Sequence, residues 1–283
     1  MSFLNLAQKM IVVAGGSGGI GQEIVRILAA NNARVIIADL NLAEAKRVAN
    51  EISASTVSPA LEAPIPYECD ISSDMSVDSL YHNIARDFGS IYGVVNSVGV
   101  VGSGTAVDCS LKEYQRQIEI NCYGAMRLAR GFIQHVRSQR EPINNSTGRV
   151  NASYVYISSI AADLAIPERD PYCVSKAAGQ AFHLNLANEV ARYGINVNIV
   201  LPGRTDTPSA AERAKLSPTA ALQMFATQRR RAMIPPVTIA KTCAFLLCPD
   251  LVGYSGQKIT IAEGADTTYR PSYEALERRQ NSE

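Results

Sequence analysis

Tyr172 and Lys176 stand four residues apart, the spacing that puts two side chains on one face of a helix with Cβ atoms roughly 5–6 Å from each other. An ammonium that close favours the phenolate over the phenol. A free tyrosine has a pKa of about 10, and a group that gives and takes protons works best near the operating pH. Lowering it by about three units takes roughly 4 kcal/mol of differential stabilisation, which is within reach of a buried lysine. Ser159, 13 residues before the tyrosine (172 minus 159), is placed to hydrogen-bond the oxygen whose proton Tyr172 exchanges. The same spacing recurs at Tyr254 and Lys258, but Gly256 lies between them and strand-like Ile259-Thr260-Ile261 follows. That second pair is given no role.

The elements that must hold these residues are legible on either side. Tyr154-Val155-Tyr156-Ile157 is an apolar, β-branched run that ends at Ser158-Ser159 and reads as a buried strand. Pro171 stands at a favourable first-turn position of the long apolar-rich helix that carries the pair. Far upstream, strand-like residues 10–14 run into Gly15-Gly16-Ser17-Gly18-Gly19-Ile20-Gly21 and then a helix over residues 20–30. A glycine-rich turn between strand and helix lets backbone amides approach a pyrophosphate at the helix N-terminus. Asp39 ends the next strand, 18 residues after Gly21 (39 minus 21), near the position expected for a carboxylate that accepts hydrogen bonds from a ribose. Such a carboxylate repels a 2′-phosphate, so the expected cofactor is NAD rather than NADP.

Strands and helices go on alternating: helix 42–52, a connection over 53–66, a strand ending at Cys69-Asp70, helix 76–88 and strand 91–96. A long helix over 111–136 carrying Asn121, a polar loop over 137–153, strand 195–201, an irregular stretch over 203–236, helix 239–247 and strand 258–261 complete the series. The expected architecture is α/β, one doubly wound parallel sheet with helices on both faces. Residues 1–268 are expected to form one dinucleotide-binding catalytic domain, followed by a polar tail over 269–283.

Bulk properties narrow the class. The 283 residues are 47% hydrophobic with net charge +1, which gives no reason to expect a nucleic-acid or membrane partner. No apolar run reaches bilayer-spanning length. The six cysteines are scattered and the three histidines widely separated, so neither a disulfide framework nor a metal site is expected. A cytoplasmic protein is the expectation.

With these motifs in order, the chain resembles the short-chain dehydrogenase/reductase family along nearly its whole length. The family's cofactor loop is matched by Ala14 to Gly21, and its adenine-contacting acid by Asp70 with Ile71 beside it. Asn96-Ser97-Val98-Gly99 is a loose match to its Asn-Asn-Ala-Gly segment. Pro202-Gly203-Arg204-Thr205-Asp206-Thr207 matches its Pro-Gly-x-x-x-Thr segment, where the family holds the nicotinamide carboxamide. The resemblance implies cofactor contacts at Gly15, Ser17, Gly18, Gly19, Ile20, Gly21, Asp39, Leu40, Asp70, Ile71, Asn96, Gly99, Pro202, Gly203, Thr205 and Thr207, besides Tyr172 and Lys176. It implies a tetrad in which Tyr172 exchanges the proton, Ser159 orients the substrate oxygen, Lys176 binds the nicotinamide ribose, and Asn121 holds a water that links Lys176 to solvent. Four departures stand out: Ala14 for a threonine whose hydroxyl ties the loop to the Asn96 region, Val98 for alanine, a charged Arg204, and Glu263 where relatives often have glycine.

The implied activity is hydride transfer between a nicotinamide cofactor and a moderately apolar secondary alcohol or ketone, such as a cyclic, aromatic, steroid-like or acyl-chain compound. The alternatives are an NADP-dependent 3-oxoacyl-type reductase of fatty-acid or polyketide synthesis and a non-catalytic dinucleotide-binding sensor. The substrate pocket is expected between residues 161–171 and a lid over 204–236, with Leu164, Ile166, Met224 and Phe225 as apolar walls. The wide apolar arc of the helix after Tyr172 predicts a homodimer or homotetramer.

Overall fold

The computed structural model describes residues 4–55, 62–139, 150–216 and 233–265. Strands β1 (Met10–Ala14), β2 (Arg34–Asp39), β3 (Ile65–Glu68), β4 (Gly93–Asn96), β5 (Ala152–Ile157), β6 (Ile195–Pro202) and β7 (Lys258–Ile261) form one sheet in the order β3-β2-β1-β4-β5-β6-β7. Every pairing between them is parallel. Helices α1 (Gly19–Ala30), α2 (Leu42–Ser55), α3 (Asp74–Phe88), α4 (Leu111–Ile118), α5 (Ala125–Gln139), α6 (Asp170–Val190), α7 (Pro208–Leu216) and α8 (Pro236–Leu246) connect the strands. The expected doubly wound sheet is the one found.

Successive residues of β1 enter opposite cores. Met10, Val12 and Ala14 pack with Leu80, Leu128, Phe132 and Leu186, whereas Ile11 and Val13 pack with Ile24, Leu28, Ile239 and Leu246. Side chains alternate along a strand, and helices cover both faces, so no position of β1 is left for a polar residue. Its sequence is therefore an unbroken apolar run. The chain turns to opposite sides of β1, towards β2 and β3 and then towards β4 to β7. At such a reversal the carboxyl ends of neighbouring strands part and leave a crevice.

Several boundaries differ from the sequence reading. Helix α3 begins at Asp74 because the Ser73 hydroxyl accepts the Ser76 amide and caps it. The helix expected over 111–136 reaches Gln139 and contains a π-helical turn, Glu119–Gly124, between α4 and α5. The stretch expected to be irregular over 203–236 contains α7. Thr207 Oγ1 accepts the Ala210 amide at 3.2 Å and Pro208 opens the helix, a cap-then-proline start that was visible in the sequence. Residues 217–232, with Met224 and Phe225, lie outside the described residues, as does the tail over 269–283. Among the described residues no helix is long and apolar enough to cross a membrane.

Candidate active site

A cleft of about 280 Å³ opens at the carboxyl ends of β1, β4, β5 and β6. Gly18, Gly19 and Ile20 line it from the start of α1, and Gly99 from the loop after β4. Ser159, Tyr172 and Lys176 line it from β5 and α6, and Pro202, Gly203, Thr205 and Thr207 from the segment after β6. Eleven of the expected catalytic and cofactor-contact residues thus share one cavity, with Val98, Ile166 and Arg204 beside them. Gly15, Ser17, Gly21, Asp39, Leu40, Asp70, Ile71, Asn96 and Asn121 are not among its lining residues.

The glycine loop is shaped by close backbone approach. Gly15 has φ +71°, a left-handed conformation that glycine adopts without strain, and its amide donates to Ala38 O at 2.8 Å. A Cβ on Gly21 would lie 2.0 Å from Gly15 O, nearer than any real contact. Gly21→Ala is therefore expected to force the loop outward and to lower Tm by about 2–12 °C, from an overpacking cost of about 1–3 kcal/mol. A thermal melt within a degree of the wild type would show that the loop yields without strain. Gly18 at the head of α1 has no side chain with which to cap the helix, and the first turn holds no acid. Uncapped amides and the helix dipole there favour an anion.

Asp39 reaches from β2 to this loop. Its Oδ2 accepts the Ser17 amide at 3.1 Å and also the Ser17 hydroxyl, and its Oδ1 accepts the Asn41 amide at 3.1 Å. A carboxylate accepts about four hydrogen bonds, so one acceptor site remains. Leu40 beside it is 67% exposed. Asp70 turns its Oδ1 to the amide and hydroxyl of Ser72, and Ile71 is buried against Gly124 of the π-helical turn. Asn96 Oδ1 accepts the Val98 amide at 3.0 Å, and the Ser97 amide donates to Ala14 O at 2.9 Å. This main-chain bond joins β1 to the loop after β4 with alanine, not threonine, at position 14.

Lys176 is 3% exposed. Its Nζ donates to Ile157 O at 3.0 Å and lies 5.1 Å from the centre of the Tyr156 ring. Glycine at position 99 makes the room, since a Cβ there would come within 3.1 Å of Nζ. Burial lowers the lysine pKa to about 7. Tyr172, half-buried, is on the first turn of α6. The Ser159 hydroxyl accepts the Ala161 amide at 3.1 Å and caps the short 3-10 turn Ile160–Ala162.

Asn121 lies in the π-helical turn, a feature that recurs at functional sites. Its Oδ1 accepts the Val100 amide at 2.8 Å, and its Nδ2 donates to Val100 O at 2.8 Å and to Ser175 Oγ at 2.9 Å. The side chain thus clamps the loop after β4 onto α6, and its Oδ1 borders, with Lys176 Nζ, the space that a Cβ on Gly99 would fill. Tyr156 donates its hydroxyl to the Asn121 carbonyl at 3.0 Å and stacks on His183 with centroids 4.1 Å apart. Burial pushes the His183 pKa down to about 4, so this imidazole is neutral at pH 7. Tyr156, Ser175 and His183 were missed in the sequence. Their only sign there was that Tyr154 and Tyr156 alternate onto one face of β5 and that Ser175 precedes Lys176.

Glu263 has φ +51°, which explains why a glycine suits that position in similar chains. All six cysteines are free thiols, and no metal-ligand cluster occurs among the described residues.

The chain matches the protein family described as "Enoyl-(Acyl carrier protein) reductase" over residues 14–266. It is 26% identical over 267 residues to "L-fucose dehydrogenase" of Bos taurus, across 93% of this chain and 91% of that one. Identity is also 26% over 267 residues to "Short-chain dehydrogenase reductase 3b" of Arabidopsis thaliana, across 93% and 98%. A solved short-chain type dehydrogenase/reductase from Mycobacterium ulcerans has the same fold, with TM-score 0.84, 22% identity, and 96% and 95% of the two chains covered. A family match from the end of β1 to beyond β7, on a seven-stranded parallel sheet, leaves one assignment: the chain is an oxidoreductase of the short-chain dehydrogenase/reductase family, whose members use nicotinamide cofactors.

Proposed function

We propose that this enzyme transfers a hydride between NAD and a secondary alcohol or the matching ketone, with Tyr172 exchanging the proton. The observation that carries the reading is that Ser159, Tyr172 and the buried Lys176 line the same cleft as the uncapped start of α1. The residues fit a dinucleotide. The glycine loop offers backbone amides to a pyrophosphate, Asp39 keeps an acceptor for a ribose hydroxyl, and Asp70 and Ile71 flank the adenine side in the family's manner. Residues 202–207 and Gly99 would hold the nicotinamide end. When bound, the cofactor supplies or removes the hydride.

The chain's own residues handle the proton. In reduction, Tyr172 gives its phenolic proton to the substrate oxygen, and in oxidation it takes one back. The Ser159 hydroxyl accepts from Ala161, so its own hydrogen is available to donate to the same oxygen. Lys176, one turn along α6, favours the phenolate when it is charged. The test is hydride transfer, followed through the absorbance of the reduced nicotinamide, with a panel of ketones and secondary alcohols. No transfer with any of them would remove the reading and leave a dinucleotide-binding protein.

Asp39 selects NAD in this reading. A 2′-phosphate would face its carboxylate, and like charges in contact cost several kcal/mol. NADH is expected to bind at least about 10-fold more tightly than NADPH, and Asp39→Asn to remove most of that gap. Fluorescence titration with both reduced cofactors decides the point. Equal affinities in the wild type would take Asp39 out of the selection.

A further inference from the structure

Three cationic side chains line the cleft, Arg169, Lys176 and Arg204, and neither aspartate nor glutamate does. Lys176 is engaged by Ile157 and Tyr156, and Arg204, 9% exposed, lies in the segment after β6. Arg169, by contrast, uses only Nη1 in bonds to the described residues. It is the N-cap residue of α6, where a guanidinium, with donors only, cannot accept a capping hydrogen bond and where a cation at the positive end of a helix dipole is unfavourable. No carboxylate pairs with it among the described residues. Of the acids that flank it in sequence, Asp170 takes the Tyr114 hydroxyl instead, and Glu168 is exposed.

The residue is nonetheless held firmly. Gly104 N donates to Glu168 O at 2.9 Å and Asp170 N to Gly104 O at 3.2 Å, so the backbone of Arg169 is bridged to the loop after β4. Arg169 Nη1 donates to Gly102 O at 3.2 Å and to the Ser103 hydroxyl. Nε and Nη2 carry no hydrogen bond among the described residues. The guanidinium is thus fixed on one edge and has donors to offer on the other. Tyr172 follows three residues later, one helical turn away, and Val101, Ile160 and Ile166 are apolar residues lining the same cleft. The glycine loop suited to phosphates belongs instead to the β1–α1 connection.

We infer that the substrate is a hydroxy or oxo acid, with its carboxylate bound by Arg169 and its reacting oxygen at Tyr172 and Ser159. This rests on the proposed reaction at Tyr172 and names its substrate class. A guanidinium edge presents parallel N–H donors that match a carboxylate, and the partly apolar surroundings strengthen the pair. In oxidation the carbinol carbon loses its hydrogen as hydride to the oxidised nicotinamide, and the hydroxyl proton passes to Tyr172. The acid group is unchanged.

The test compares 3-oxobutyrate and 4-oxopentanoate with their methyl esters as substrates for NADH-dependent reduction, in the wild type and in Arg169→Met. Calorimetric titration of 4-oxopentanoate into the cofactor-loaded protein accompanies the kinetics. The expected result is a preference for at least one acid over its ester, expressed mainly in KM. The acid-to-ester ratio of kcat/KM falls about 10- to 100-fold in Arg169→Met, the size expected for a charge-assisted hydrogen bond, and the calorimetric binding is lost. Equal use of acids and esters by the wild type overturns the inference, as does an unchanged ratio in the variant, which would make Arg169 a brace for the loop after β4. Turnover of the esters alone overturns the acid site and leaves hydride transfer standing. Binding of the acid that Arg169→Met abolishes, with no turnover of any compound, supports the acid site and removes the redox reading instead.

Discussion

Tyr172→Phe is expected to lower kcat by about 10²- to 10⁴-fold, the usual contribution of a positioned proton carrier, and to leave KM nearly unchanged. The phenylalanine ring keeps the packing of the first turn of α6, where Asp170 is tied to Tyr114 and Pro171 presets the backbone. Only the proton-bearing oxygen is deleted. Removing a group that acts in the transition state alone lowers kcat and kcat/KM together, whereas removing ground-state binding raises KM with kcat unchanged. The measurement is steady-state kinetics on the best ketone of the panel, with NADH titrated separately to show that the dinucleotide still binds. A variant that keeps more than about a tenth of wild-type turnover would take Tyr172 out of the proton transfer. A rise confined to KM would recast it as a substrate-positioning residue.

Most of the frame that holds Tyr172 was readable from local pattern. The strands at Met10–Ala14 and Ala152–Ile157 are buried on both faces, so the first is apolar throughout and the second carries one small polar residue, Ser153, whose hydroxyl donates to Leu246 O at 2.9 Å. The glycine loop is legible because sterics admit almost nothing else at Gly15 and Gly21. The Lys176–Ile157 bond follows once β5 and α6 are known to be neighbours. What local pattern could not give is the result of non-local packing. A π-helical turn inserts one residue into a helix without disturbing the apolar stripe enough to show, so the clamp of Asn121 on Val100, 21 residues away, was hidden. Arg169 drew no attention because its partner Ser103 is 66 residues distant. Helix α7 is different. Thr207-Pro208 announced it, and the many polar residues that follow obscured the signal.

Lys176→Met is expected to abolish turnover and at the same time to stabilise the protein that has no cofactor bound. Burial lowers the lysine pKa from 10.5 in the ordinary case to about 7 in the fold. Between those two values the unfolded chain holds the proton and the folded chain does not, so stability rises with pH across the window. Below about pH 7 both states are protonated and the whole cost of burying the ammonium remains. Above about pH 10.5 both are neutral and the cost vanishes. At about 1.4 kcal/mol per unit, that cost is of order 5 kcal/mol at most. Methionine removes it but leaves Ile157 O without its donor, a penalty of about 1–3 kcal/mol. At pH 6 the variant should therefore be more stable by about 2–4 kcal/mol, a rise in Tm of several degrees. By about pH 11 only the carbonyl penalty is left and the sign should reverse. Thermal melts at the two pH values read this directly. Equal melts at pH 6, or a gain that grows with pH, would show that the ammonium is already compensated in the fold. A destabilising lysine at the one place where the cleft meets Tyr172 is intelligible if binding supplies the oxygen partners that folding does not, so the same substitution that raises Tm should weaken NADH binding.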